Sequence, residues 1–182
     1  MIEIPLSTAV RVISPRVTAL ITTLHEDGIV NAAPYSYVHP LSTKQRLVGV
    51  AIGNTRKHTY INAKRTGEFV ISIVSEDFAQ QAVNCEEPHE PSENLLEKHG
   101  LHTSPSKTVK APRVREARAV LECGTRQFIE LGEDQQLMVG EVLCAEAEGD
   151  DGEVDVGRMK PLLHQTGDKY WCIGRPIILR SS

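Results

Sequence analysis

The sequence predicts a mainly β protein with flanking helices, built on an antiparallel sheet that closes into a full or split barrel. Three observations carry this. Runs rich in β-branched residues recur between Arg16 and Val74 and again beyond Ala119. Several of them are joined by tight turn signals, of which Asp27-Gly28 is the strongest. Helical stretches are few and do not alternate regularly with strands, which argues against a doubly wound fold.

Taken in order, Arg16 to Leu24 reads as a strand, and Ile29 to Tyr37 as its hairpin partner. Pro34 has no N–H for a ladder, so the second strand must end, bulge or lie at a sheet edge there. Arg46 to Ile52 and Glu68 to Val74 are further strands. A helix is predicted over Arg56 to Arg65, with Asn54 or Thr55 as its N-cap. A second begins after Ser75, where Glu76 and Asp77 suit the positive end of a helix dipole, and fades near Asn84. From Cys85 to Pro112 the chain holds Pro88, Pro91, Pro105 and Pro112 among polar residues, with one short helix at Glu93 to His99. That stretch reads as a long excursion over the surface or over a partner chain. Strands resume at Ala119 to Leu131 and Leu137 to Ala147, turned by Gly132 to Gln136, and a last one lies at Lys169 to Ile173.

The chain of 182 residues is long enough for one domain with its own core. No repeat or change of composition divides it. A formal net charge of -4 and an aromatic content of 4% do not suit a nucleic-acid-binding barrel, which needs cationic grooves and stacking rings. No apolar run approaches the ~20 residues of a membrane span. The opening segment carries Glu3, Arg11 and Arg16 and lacks the order of a secretion signal, so the expected location is the cytoplasm. Cys85, Cys123, Cys144 and Cys172 form no Cys-x-x-Cys pair and read as free thiols.

Two stretches carry chemistry. Ile52 to Thr59 combines a strand end, Gly53, Thr55, adjacent Arg56 and Lys57, and Thr59 at a helix start. Unpaired N–H groups and a dipole suit a phosphate there; the same spacing also fits a solvated basic helix start. Asn31 to Tyr37 gathers small residues, Pro34, Ser36 and the rings of Tyr35 and Tyr37. Interrupted strand pairing there leaves backbone groups for a planar heterocycle, or is an irregular strand end with core tyrosines. Together they suit a ligand with a flat ring and a phosphate tail. No metal site is expected. His99 and His102 lack a third ligand, and the acids between Glu146 and Asp155 lack a calcium-loop pattern. No Ser/His/Asp arrangement is present, and no catalytic residue is assigned.

The runs PRVTALITTLHEDGIVNAAPYSY and LVGVAIGNTRKHTYINAKRTGEFVISIV, the neighbourhood of Asn84, and the later KAPRVREARAVLEC and LMVGEVLCAEAE resemble the flavin reductase-like family of FMN-binding split-barrel proteins, which includes flavoredoxins. The resemblance spans roughly residues 10 to 174. It implies a six-stranded antiparallel Greek-key barrel and non-covalent FMN near a homodimer interface. Asn31, Ala33, Pro34, Tyr35, Ser36 and Tyr37 would lie along the ring. Ile52, Gly53 and Thr55 would line the ribityl chain, and Arg56, Lys57 and Thr59 would hold the phosphate. Asn84 would add a polar contact. The implied activity is NAD(P)H-dependent reduction of flavin or another acceptor through FMN; the alternative is an electron carrier that a redox partner reduces. No GxGxxG motif is present, so NAD(P)H would dock transiently without a Rossmann domain. His164-Gln165 and Thr166-Gly167 depart from the family's usual arginine and glycine pair.

Overall fold

The computed structural model describes residues 1–133 and 135–177. Its strands are β1 (Arg16–Val17), β2 (Ala19–Leu24), β3 (Val30–Tyr35), β4 (Val38–Ser42), β5 (Leu47–Ile52), β6 (Glu68–Ile73), β7 (Thr103–Ser104), β8 (Arg113–Val114), β9 (Ala119–Gly132), β10 (Gln135–Ala147), β11 (Gly149–Asp150), β12 (Glu153–Val154), β13 (Leu163–Thr166) and β14 (Lys169–Trp171). The helices are α1 (His58–Thr66), α2 (Ala79–Asn84), α3 (Leu95–Lys98) and α4 (Val156–Met159).

A seven-stranded sheet in the order β3-β2-β6-β9-β10-β5-β4 dominates, and each of its pairings is antiparallel. Its two edges are β3 and β4, which follow each other in the chain with only Ser36 and Tyr37 between them. Two residues reach about 10 Å at most from strand to strand, so the sheet must curl until its edges stand side by side. The Ala51 N–H donates to the Tyr37 carbonyl at 2.9 Å and ties this corner down. The edges do not pair with each other. Both carry a proline, Pro34 and Pro40, and proline belongs on edges because it cannot donate to a ladder. The curl therefore ends in a seam.

Period-two alternation explains the two faces. Ala19 and Ile21 of β2 and Phe69 and Ile71 of β6 enter a core with Val50, Ile52, Ala63 and Met138. Leu20 points the other way, into a second core with Phe78, Ala82, Leu95, Leu96, Leu101 and Leu162. Both faces are covered, so these strands read as continuous apolar runs. Gly140 is required by the inner core: a Cβ there would stand 2.4 Å from the Phe69 ring.

Several expectations are corrected. The strand foreseen over Arg16 to Leu24 breaks at Thr18, because β1 pairs with β13 whereas β2 pairs with β3 and β6. The chain changes sheets there, with Thr18 N–H donating to Leu162 O at 2.9 Å and Thr18 O accepting from Val74 N–H at 3.0 Å. β4 and β13 are not visible in the sequence; one carries Pro40 and both lack an apolar alternation. Helix α1 begins at His58, two residues later than expected, because Asn54 builds a separate turn first: its Oδ1 accepts the Arg56 N–H at 2.9 Å. Lys57, not Asn54 or Thr55, occupies the N-cap position. The C-terminal end follows rule: Gly67 takes the left-handed conformation, φ 73°, and closes α1.

The stretch from Cys85 to Pro112 lies on the chain's own sheet. Leu95, Leu96, Leu101 and Ala111 are buried, and carboxylates of the sheet accept its backbone N–H groups. Glu68 Oε1 accepts from Lys110 at 2.7 Å and Ala111 at 3.0 Å. Glu122, fully buried on β9, accepts from Lys107 at 2.8 Å and from Thr108 at 2.6 Å. Its other partner is Arg113, whose Nε donates at 2.6 Å. No helix among the described residues is long and apolar enough to cross a membrane.

Candidate functional site

A cleft of about 510 Å³ opens along the seam. Edge strand β3 and the corner after it supply Asn31, Ala33, Pro34, Tyr35, Ser36 and Tyr37. The end of β5 and the start of α1 supply Gly53, Arg56, Lys57, His58 and Thr59. Cys85 to His89 form part of its rim, and His164 and Tyr170 come from the small sheet of β1, β13 and β14. The two stretches singled out in the sequence thus meet in one cleft, because β3 is one edge of the seam and β5 pairs with the other, β4.

At one end stands the start of α1. It has no side-chain cap and no acid in its first turn, so its N–H donors and positive dipole end stand beside two cations, Arg56 and Lys57, and are left for an acceptor that enters the cleft. Gly53 adjoins it, and a Cβ there would meet no protein atom within 4 Å. Beneath lies a buried polar network. Asn31 Nδ2 donates to Thr23 Oγ1 at 3.1 Å and to Thr59 Oγ1 at 3.2 Å. Burial raises the Tyr35 phenol above its usual range, against a hydrogen bond with Thr59 that lowers it, so Tyr35 is neutral at physiological pH. Burial, and then the neighbouring imidazoles, lower the pKa of His25 and His58.

At the other end, Ser36 Oγ lies 2.8 Å from His164 Nδ1, while His164 Nε2 lies 3.1 Å from the Gly167 carbonyl. The carbonyl can only accept, so Nε2 carries a proton, and in the neutral ring Nδ1 accepts the serine hydroxyl. The His164 ring lies against Tyr170, centroids 4.9 Å apart and 33° between planes. Arg16 sits over the Tyr37 ring at 4.6 Å and donates to Ile13 O and Gln165 O at 2.8 and 3.2 Å. Thr18 Oγ1, in the cleft wall, is buried without a hydrogen-bond partner. A buried unpaired hydroxyl costs about 1–3 kcal/mol, and a polar ligand in the cleft would recover it.

Three expected site residues stand apart from the lining. Ile52 is fully buried in the inner core, Thr55 is exposed beside the cleft, and Asn84 is exposed at the end of α2, its Oδ1 accepting from Gln80 at 2.8 Å. Cys85, the next residue, takes the place at the cleft wall. Burial, reinforced by the charge of Glu87, pushes its thiol to about 12, so it is protonated and unreactive. Sequence reasoning missed Thr18, His58, His89, His164 and Tyr170. Only His164 carried a signal, as a departure from a family pattern.

Residues 12–172 match the flavin reductase like domain, a span that covers most of the chain. The chain belongs to the flavin reductase-like family. Among its relatives is an uncharacterised protein of Halalkalibacterium halodurans, 33% identical over 178 residues, 91% of this chain and 85% of the relative. Its fold is similar to that of nitrilotriacetate monooxygenase component B from Bacillus cereus, with a TM-score of 0.90, 26% identity and 98% of each chain covered. It is also similar to flavoredoxin of Desulfovibrio vulgaris, with a TM-score of 0.83, 21% identity, and 91% of this chain and 90% of that one covered. For a member of this flavin-binding family the donor set at the seam is apt. It offers unpaired N–H groups and two cations at one end, open space over Gly53 in the middle, and rings with an orphaned hydroxyl beyond.

Proposed function

We propose that this chain is an FMN-dependent oxidoreductase of one flavin-binding domain, a split Greek-key barrel. It would pass electrons from NADH or NADPH to free flavin or another small or protein acceptor. The observation that carries the reading is the uncapped start of α1, flanked by Arg56 and Lys57 and opening into the same cleft as the rings of β3. Arg56, Lys57 and the N–H groups of α1 would hold the phosphate; Thr59, committed to Asn31, would brace that end. Gly53 leaves room for the ribityl chain, with Ile52 behind it and Thr55 beside it. Asn31, Ala33, Pro34, Tyr35, Ser36 and Tyr37 would face the ring, and Asn84 would act from the rim behind Cys85.

FMN, when bound, would supply hydride-accepting and electron-transfer chemistry. The chain's own residues bind and orient. The neutral Tyr35 with Ala33 and Pro34 of β3 would cover one side of the ring. Ser36, whose hydroxyl donates a hydrogen bond to the neutral His164 ring, would offer its oxygen as an acceptor for a ring N–H. Thr18 Oγ1 is free to make a further hydrogen bond.

The residues before β1 favour a homodimer with the cleft near its interface. The 3₁₀ segment Leu6–Val12 buries none of its residues and exposes Leu6, Val10 and Val12, followed by exposed Ile13. Contiguous apolar exposure of this kind marks an interaction surface. The four free cysteines suit a reducing cytoplasm.

The purified protein should show a flavin absorption spectrum, as isolated or after incubation with FMN, and release FMN on denaturation. Mixed with NADH or NADPH in the absence of oxygen, it should bleach rapidly. Slow bleaching by both, with fast reduction by a reduced redox protein, would make it an electron carrier. A protein that stays colourless after exposure to FMN and FAD would overturn the flavin reading. His164→Ala probes the ring end. Removing the acceptor of the Ser36 hydroxyl should weaken FMN and riboflavin alike, by about 2- to 12-fold for a neutral hydrogen bond. Fluorescence quenching titrations of both flavins measure it.

A further inference from the structure

Three histidines distant in sequence meet beside the phosphate end of the cleft. His25 follows β2, His58 opens α1, and His89 belongs to the stretch folded back over the sheet. Each offers one ring nitrogen, and the three nitrogens lie within 4.8 Å of one another. His58 Nδ1 and His89 Nε2 are 3.4 Å apart. Two imidazoles on a tetrahedral zinc, each at 2.0–2.1 Å, stand about 3.3 Å apart, so one edge of the polyhedron is already set. The rings meet edge to face, with centroids 4.9 Å apart for His25 and His58 and 5.0 Å for His58 and His89. They do not stack, which leaves the nitrogens converging.

Two further features point to a ligand. His25 is 8% exposed, and its Nε2 is buried with no hydrogen-bond partner. Buried polar atoms normally find partners, and this one has two imidazoles as its polar neighbours. Two of the three outer nitrogens are also provided for. His89 Nδ1 lies 3.1 Å from the Glu87 carbonyl, which fixes the proton there and leaves Nε2 with its lone pair. His25 Nδ1 lies 3.3 Å from the side-chain amide of Asn62. Rotating that amide by half a turn would present its oxygen to an Nδ1–H and leave Nε2 with its lone pair, with the heavy-atom positions almost unchanged.

We propose that His25, His58 and His89 bind one divalent transition-metal ion, with Zn²⁺ as the ion that fits. Imidazole suits this borderline class and not calcium or magnesium. Three protein ligands leave a fourth position open, the arrangement of sites that hold water or a ligand atom rather than of closed structural sites. His58 and His89 both line the cleft, so that position opens toward it, next to Lys57. The ion would pin the stretch around His89 to the start of α1 and place a second positive centre beside the anion-binding end.

The test is calorimetric titration of the full-length protein with Zn²⁺, on a Cys172→Ser background because Cys172 is an exposed thiol. Replacing Zn²⁺ by Co²⁺ gives a visible spectrum that reports geometry. Saturable binding of one ion per chain is expected, with the intense absorption of tetrahedral Co²⁺. His89→Ala and His58→Ala should each weaken binding by at least about tenfold, since even second-shell losses cost that much. Circular dichroism and thermal melting without metal verify that both variants are folded. His89 is only partly buried in its loop, so its variant is the safer of the two. Absence of one-to-one binding, or binding that folded His89→Ala retains in full, overturns the site. Neither result depends on flavin, because the titration reads zinc alone.

Discussion

Lys57→Ala weakens FMN binding by about 10- to 150-fold and leaves riboflavin binding nearly unchanged. The factor is that of one charge-assisted hydrogen bond, roughly 1.5–3 kcal/mol. The asymmetry follows from chemistry, since riboflavin lacks the phosphate. The setting favours the upper part of the range. The first turn of α1 holds no acid to compete and no side-chain cap to occupy its N–H groups. Arg56 stays behind in the variant, so the site is weakened and not abolished. Fluorescence titration of the apoprotein with both flavins gives the two constants. Equal losses for both would move the phosphate away from α1.

Glu122→Gln lowers stability at neutral pH by about 3 kcal/mol, which for a chain of this size is about 6–12 °C in Tm. Burial by itself would raise the pKa of Glu122. Hydrogen bonds from the Thr108 hydroxyl, the Lys107 and Thr108 N–H groups and the Arg113 guanidinium outweigh burial and hold it at about 2. The amide of glutamine keeps one acceptor oxygen but turns N–H donors toward other donors. Arg113 keeps its contact with Glu146, at 2.6 Å, yet loses its buried partner. The direction with pH is fixed by linkage. A carboxyl with a depressed folded pKa contributes its full stabilisation above its unfolded value, about 4.3. That contribution is lost as pH falls toward 2. The gap between wild type and Glu122→Gln is therefore constant from pH 7 to about 5 and narrows below pH 4. Urea titrations at several pH values measure it, and a gap that widens in acid would remove Glu122 as the anchor.

These two residues illustrate how differently the sequence spoke. Lys57 belongs to a run in which glycine, cations, hydroxyls and a helix start are contiguous, so a phosphate end can be proposed there from the chain alone. Glu122 looks like a polar residue in a strand. Its importance comes from Lys107 and Thr108, in a stretch whose prolines and polar residues suggest an excursion over the surface or over a partner chain and whose leucines pack on the chain's own sheet.

Local signals set the rest of what the sequence determined alone. Alternation and β-branching gave the antiparallel sheet, Asp27-Gly28 its first hairpin, and Pro34 an edge position that β3 does occupy. These are short-range effects, carried by a few neighbouring residues. The tertiary structure decided what depends on distant partners. The seam exists because the two proline-bearing edges are brought side by side. Ser36 finds His164 across 128 residues of chain. His25, His58 and His89 converge from a turn, a helix start and a loop, with no spacing that a sequence pattern could register. Isolated histidines carry no periodicity, and only the tertiary fold, driven by burial of the sheet's two apolar faces, brings their nitrogens within 4.8 Å of one another.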